Sequence, residues 1–250
     1  MYISPKYKFI FLRVPKTAST SLSEFFIKNI DDPDAIYTDV EDAKIEGTLS
    51  EDTLASINGS HENYSPFKHL HLNLRQLIYY DIITREQLYA YKNIAVLRDP
   101  LERQKSFYYF YKKYEDERSG ASPYSIDNYK YMAPRGWFDA DKSTGEDNSA
   151  LKQSDFLYYE GKQVGEYWLY ENIAEHLKNF MEEIDVPIKH KLKQHKSQFR
   201  IDRIDQSKEI HFDYESLGPI KDYFGSDLNL YTTIKKKYYA DTTSLHTYNQ

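Results

Sequence analysis

The chain has 250 residues, with 33 Lys and Arg against 39 Asp and Glu, a net charge of −6, 40% hydrophobic residues and no cysteine. This composition excludes global disorder, and the acidic balance argues against a general nucleic-acid binder, whose affinity comes mostly from neutralising phosphates. The missing thiols exclude a disulfide framework, a thiolate metal site and a cysteine nucleophile.

At this length one domain over residues 1–250 is expected, with enough chain to bury a core. Met1 to Lys6 lacks the apolar heart of a signal peptide, and no run reaches the ~18 apolar residues of a membrane span. The expectation is a chain in the cytoplasm, of bacterial or viral origin. The 25 tyrosines suit amphipathic packing, first of all in the core.

Lys8 to Val14 is a short apolar, β-rich run that predicts a buried strand, and Pro15 ends it. Lys16-Thr17-Ala18-Ser19-Thr20-Ser21 is a small polar turn. Leu22, Phe25, Phe26 and Ile30 then follow at helical spacing. Residues 31–60 read as a connecting region, and 61–77 contain His69-Leu70-His71. A helix around Thr84–Leu88 leads to a second buried strand, Asn93–Leu97. Arg98 closes it, Asp99 is a good N-cap, and Pro100 fits the first helical position, with Glu102 completing a capping-box-like pattern. Residues 115–150, rich in Gly, Ser, Pro, Asp and Asn, read as a lid or acceptor loop. A third helix is predicted over about Glu166–Ile184, stopped by Pro187, and the C-terminal region reads as helical. Strands alternating with helices predict an α/β fold with a central, mostly parallel sheet flanked by helices.

The 15–21 segment lies between a strand and a helix, where open α/β sheets bind ligands. Backbone N–H groups at a helix start attract anions, three consecutive hydroxyls can donate to phosphate oxygens, and Lys16 adds a charge. A solvated lysine beside a capped helix is the plainer alternative. A Walker A loop needs glycines that are missing here, which disfavours a P-loop kinase. Arg98, at the end of the second strand, can fork onto a phosphate, and Ser106 lies two turns into the helix after it. An ion pair from Arg98 to Asp99 or Glu102 is the plainer reading there.

Together, Pro15-Lys16-Thr17-Ala18-Ser19-Thr20-Ser21 and Arg98-Asp99-Pro100-Leu101-Glu102-Arg103-Gln104-Lys105-Ser106-Phe107-Tyr108 resemble the paired nucleotide motifs of sulfotransferases that use 3′-phosphoadenosine-5′-phosphosulfate (PAPS). The pair is most similar to the carbohydrate branch, the uronosyl 2-O-sulfotransferases above all. The resemblance implies a P-loop-like strand-loop-helix in which Lys16, Thr17, Ala18, Ser19, Thr20 and Ser21 hold the 5′-phosphosulfate. It assigns Arg98 and Ser106 to the 3′-phosphate. His69-Leu70-His71 stands where that group carries a His-x-His, although Leu70 replaces the usual Gly. By the resemblance His71 is the general base, with His69 as a positioning group or second candidate; Glu62 and Glu24 stand in reserve, and the plainer readings of the pair are a structural role or a metal site, for which no third ligand is evident. Trp168-Leu169-Tyr170-Glu171-Asn172-Ile173 is similar to the family's Gly-x-x-Glu-Asn-Leu segment, and Lys196-Ser197-Gln198-Phe199-Arg200 to a late loop that closes over the nucleotide. Ser197 and Arg200 are therefore further nucleotide candidates. The basic run 189–196 is either a solvated helix face or a neighbour of the 3′-phosphate or of an anionic acceptor.

The function implied is in-line transfer of a sulfuryl group from PAPS to a hydroxyl, on a carbohydrate or another acceptor, leaving 3′-phosphoadenosine 5′-phosphate (PAP). Lys16 would stabilise the leaving phosphate, and no metal is required. The alternatives are a kinase-like phosphotransferase with a degenerate phosphate loop and a non-catalytic PAP-binding module. Nucleic acid and a membrane span are not expected among its partners.

Overall fold

A computed structural model describes residues 1–38, 45–47, 49, 71–107, 109, 151–193 and 214–247. Its strands are β1 (Tyr2–Ser4), β2 (Phe9–Leu12), β3 (Ile36–Thr38), β4 (Ile45–Glu46), β5 (Lys92–Leu97), β6 (Tyr158–Tyr159), β7 (Lys162–Gln163) and β8 (Glu166–Leu169). Its helices are α1 (Ser19–Asn29), α2 (Leu74–Tyr79), α3 (Arg85–Ala90), α4 (100–107), α5 (Ile173–Glu183), α6 (Tyr214–Tyr223) and α7 (Gly225–Thr247). Six strands form one sheet in the order β4-β3-β1-β2-β5-β8, and β6 and β7 make a small hairpin. The longest ladders are the parallel ones, β2 with β5 and β5 with β8. The short β1, β3 and β4 add an antiparallel edge. The expected α/β architecture, a mostly parallel mixed sheet between helices, is the one observed.

Strand alternation explains the layers, because successive side chains point to opposite faces. Phe9, Phe11, Ile94, Val96 and Trp168 face α1 and α5, where Phe25, Phe26, Leu177 and Phe180 meet them. The rings of Phe9 and Phe180 pack edge to face at 5.0 Å, and those of Phe11 and Phe26 at 5.3 Å. Ile10, Leu12, Ala95, Leu97, Tyr167 and Leu169 face the other way, toward Leu74, Leu77, Leu88 and Tyr231 of α2, α3 and α7. Each fully buried large side chain contributes about 1.5–3 kcal/mol, which ties the helices to both faces.

Local signals set the helix starts. Thr84 and Asn73 each form a reciprocal capping box, with Gln87 and Gln76. Asp99 Oδ1 accepts from the N–H groups of Leu101 at 2.9 Å and Glu102 at 3.1 Å, the N-cap expected ahead of Pro100. The Glu102 carboxylate takes Lys105 Nζ at 2.8 Å.

The helix expected over Glu166–Ile184 is corrected. Its first four residues are β8, paired in parallel with β5, and α5 begins only at Ile173 after a 3-10 turn over Tyr170–Asn172. Gly165 enforces the break. Its φ is +127°, and a Cβ there would lie 2.3 Å from the Asn93 carbonyl oxygen, so only glycine lets β8 enter beside β5. The first predicted strand is also preceded by another, β1, whose Tyr2 and Ile3 are buried.

Candidate functional site

Parallel pairing of β2 and β5, with Leu12 opposite Ala95, makes the two strands end side by side. The loops that follow, 13–18 and 98–99, therefore leave the sheet at the same edge, and hydrogen bonds stitch them together. Arg98 Nη1 donates to the Lys16 carbonyl at 3.0 Å, and Arg103 Nε, from α4, donates to the Pro15 carbonyl at 3.1 Å. The two sequence motifs thus form one structural unit.

The turn itself is tight. Lys16 and Ala18 both have left-handed backbones, with φ of 64° and 60°. Such a conformation disfavours a side chain by about 1–2 kcal/mol, so a loop usually supplied with glycine is built here from Lys and Ala. Thr17, fully buried, donates its hydroxyl to the Val14 carbonyl at 2.8 Å, which leaves its backbone N–H as its means of holding an anion. Ala18 occupies the N-cap of α1 and has no side chain able to cap it. The first turn of that helix thus presents backbone donors and the positive end of its dipole. Ser19 and Ser21 are buried in this turn. Thr20 Oγ1 accepts from Arg13 Nη2 at 3.1 Å, so its own hydroxyl proton can go to a ligand. Lys16 Nζ lies 6.0 Å from the centre of the Phe107 ring, so its side chain reaches toward α4.

Arg13, 2% exposed, links this turn to the histidine. Its carbonyl is 2.7 Å from His71 Nδ1. A carbonyl only accepts, so Nδ1 carries the proton and the lone pair of neutral His71 is on Nε2. Burial, and then the Arg13 cation, push the His71 pKa well below the usual imidazole value. The ring is neutral near pH 7, as a base must be.

Arg98, 7% exposed, stacks its guanidinium 4.6 Å from the Tyr170 ring centre. Its backbone is gripped on both sides by Gln153, whose Oε1 accepts from Arg98 N at 3.0 Å and whose Nε2 donates to Arg98 O at 2.8 Å. Ser106 lies partly buried on α4, and Glu24 on the next turn of α1 after the loop. Of the other residues singled out, His69, Glu62, Ser197, Arg200 and the 115–150 segment lie outside the described residues. Of the basic run, 189–193 is described. Asn29, at the end of α1, accepts from the N–H groups of Lys189 and His190, both at 2.8 Å, and donates to the His190 carbonyl at 3.1 Å. This clamp sets a groove of about 410 Å³ beside the loop, lined by Ser21, Glu24, Lys28, His190, Lys191 and Lys193 among others.

A family model described as "Sulfotransferase family" matches residues 1–245. The chain belongs to the sulfotransferase family. No curated protein and no solved structure matches it. Three residues that hold this loop unit together escaped the reading of the sequence. Arg13 read as part of a strand and Tyr170 as one residue of a predicted helix, while Gln153 carried no reading at all. Only Arg13 carried a signal, a charge at the end of an apolar run. Among the described residues no helix is long and apolar enough to cross a membrane.

Proposed function

We propose that this sulfotransferase moves the sulfuryl group of PAPS to a hydroxyl of a carbohydrate acceptor. The observation that carries the reading is the double role of Arg13. Its guanidinium holds Thr20 of the anion loop while its carbonyl holds His71. Base and donor loop are thereby attached to one buried residue, as an in-line transfer demands.

PAPS supplies an activated sulfuryl group whose departure leaves charge on the 5′-phosphate. The first-turn N–H groups of α1, the Thr20 hydroxyl and the Lys16 ammonium stabilise that charge. Arg98 and Ser106 bind the 3′-phosphate. His71 Nε2 takes the acceptor's hydroxyl proton as the new oxygen–sulfur bond forms and the sulfur–oxygen bond to the phosphate breaks. PAP and the sulfated acceptor are the products. Resemblance to the uronosyl 2-O-sulfotransferases supports a carbohydrate as the acceptor.

Two measurements test this reading. Titration with PAP and with ATP should give micromolar or tighter PAP binding and weak ATP binding. Radiolabelled PAPS offered with a panel of glycans should pass label to at least one of them. Equal affinity for ATP, or label transfer to none, refutes it.

A further inference from the structure

The first turn of α7 buries Asp227 completely. Its Oδ2 accepts from the Gln153 N–H at 2.8 Å and its Oδ1 from the Ser154 N–H at 2.9 Å. Oδ2 also lies 4.0 Å from Nη1 of Arg103, whose side chain is equally buried. Two of these partners, Arg103 and Gln153, lead to the loop pair. Arg103 holds the Pro15 carbonyl, at the base of the turn that carries Lys16. Gln153 clamps the backbone of Arg98 on both sides. Arg103 and Gln153 bring two different loops, 88 and 55 residues away in sequence, to one carboxylate. The same face of α7 docks on the segment after β8, where Tyr231 donates to Glu171 and Tyr238 donates to Glu175. The helix is thus held at Asp227 and again further along its length.

We infer that Asp227 is a positioning residue for both phosphate-binding arms. Through Arg103 it sets the turn 15–18, and through Gln153 it sets Arg98. A buried carboxylate suits this task, because it accepts two backbone N–H bonds and balances a buried guanidinium at the same time. Removing the charge while keeping the shape takes away the carboxylate 4.0 Å from Arg103 Nη1, and a shifted Arg103 no longer fixes the Pro15 carbonyl. The inference rests on the donor reading given above.

The test compares adenosine 5′-phosphate (AMP), which engages only the Lys16 arm, with PAP, which engages both. In the wild-type chain PAP binds more tightly, and the ratio of the two dissociation constants reports the Arg98 arm. For Asp227→Asn, calorimetric titration should show AMP binding weakened about tenfold and the AMP-to-PAP ratio reduced about tenfold as well. Gln153→Met, which leaves the carboxylate in place, should reduce the ratio by more than it weakens AMP binding. This second variant carries the test if Asp227→Asn does not fold. A purely structural role would weaken both ligands by one common factor or leave both unchanged. Either outcome, in Asp227→Asn or in Gln153→Met, overturns the inference. A wild-type chain that binds PAP no more tightly than AMP refutes the donor reading itself, and the inference with it.

Discussion

Substitution of His71 by Gln tests the chemistry at its most exposed point. Gln keeps a polar group near the Arg13 carbonyl but has no lone pair able to take a proton near neutral pH. General-base catalysis contributes about 10²–10⁴-fold, so kcat should fall by that factor, equivalent to about 3–5 kcal/mol of barrier. PAP affinity should hold, because the loop and Arg98 are untouched. The pH profile gives a second reading of the same group. His71 works as neutral imidazole, and burial followed by the Arg13 cation lowers its pKa from the ordinary 6.5. The wild-type kcat/KM should therefore stay flat as pH falls through 6.5 and drop only well beneath it. Linkage has the same origin. Below 6.5 the unfolded chain binds a proton at His71 that the folded chain refuses, so this contribution to stability is whole above 6.5 and is withdrawn as pH falls toward the lowered folded value. Denaturant midpoints taken at descending pH should fall further for the wild type than for His71→Gln. An acid limb of kcat/KM at 6.5 or above, or turnover in His71→Gln within tenfold of wild type, refutes the assignment.

Three other substitutions probe the loop and the sheet. Lys16→Ala should lower kcat by about 10²–10³, as loss of one preorganised charge at a leaving group does, and weaken PAP binding too; unchanged turnover in a radiolabel transfer assay would remove Lys16 from the mechanism. Ala18→Gly relieves the left-handed backbone at the start of α1 and should raise stability by about 0.5–1 kcal/mol, read from the urea midpoint. Gly165→Ala drives a Cβ against the Asn93 carbonyl at 2.3 Å and should cost more than about 2 kcal/mol, read in the same way. A Gly165→Ala chain with wild-type stability would show that β8 does not enter beside β5 as described.

The parts that the sequence declares are those where one short segment contains its whole cause. β2, its polar turn and α1 follow from a continuous apolar run, Pro15 and the spacing of Leu22, Phe25 and Phe26. β5 and α4 follow from Asn93–Leu97 and the Asp99-Pro100 start. β8 was hidden because Tyr167, Trp168 and Leu169 join Tyr170, Ile173 and Leu177 in a pattern that also suits a helix. What breaks that pattern is Gly165 meeting Asn93, a contact between residues distant in sequence. The turn forms without the glycines whose absence disfavoured a P-loop kinase, since Lys16 and Ala18 take up the left-handed conformations themselves. Gln153 and Asp227 were illegible for a related reason. Each is an ordinary residue until the sheet brings its partners to it; Asp227 meets Gln153 across 74 residues.

The most direct measurement is a crystal structure of the chain with PAP. The account predicts the 5′-phosphate on the 16–21 turn, with Lys16 and the first-turn N–H groups of α1 on its oxygens, and the 3′-phosphate against Arg98 and Ser106. His71 Nε2 should face the side from which an acceptor hydroxyl approaches. PAP seated at any other place on the chain, or bound with Arg98 turned away from its 3′-phosphate, would contradict the account.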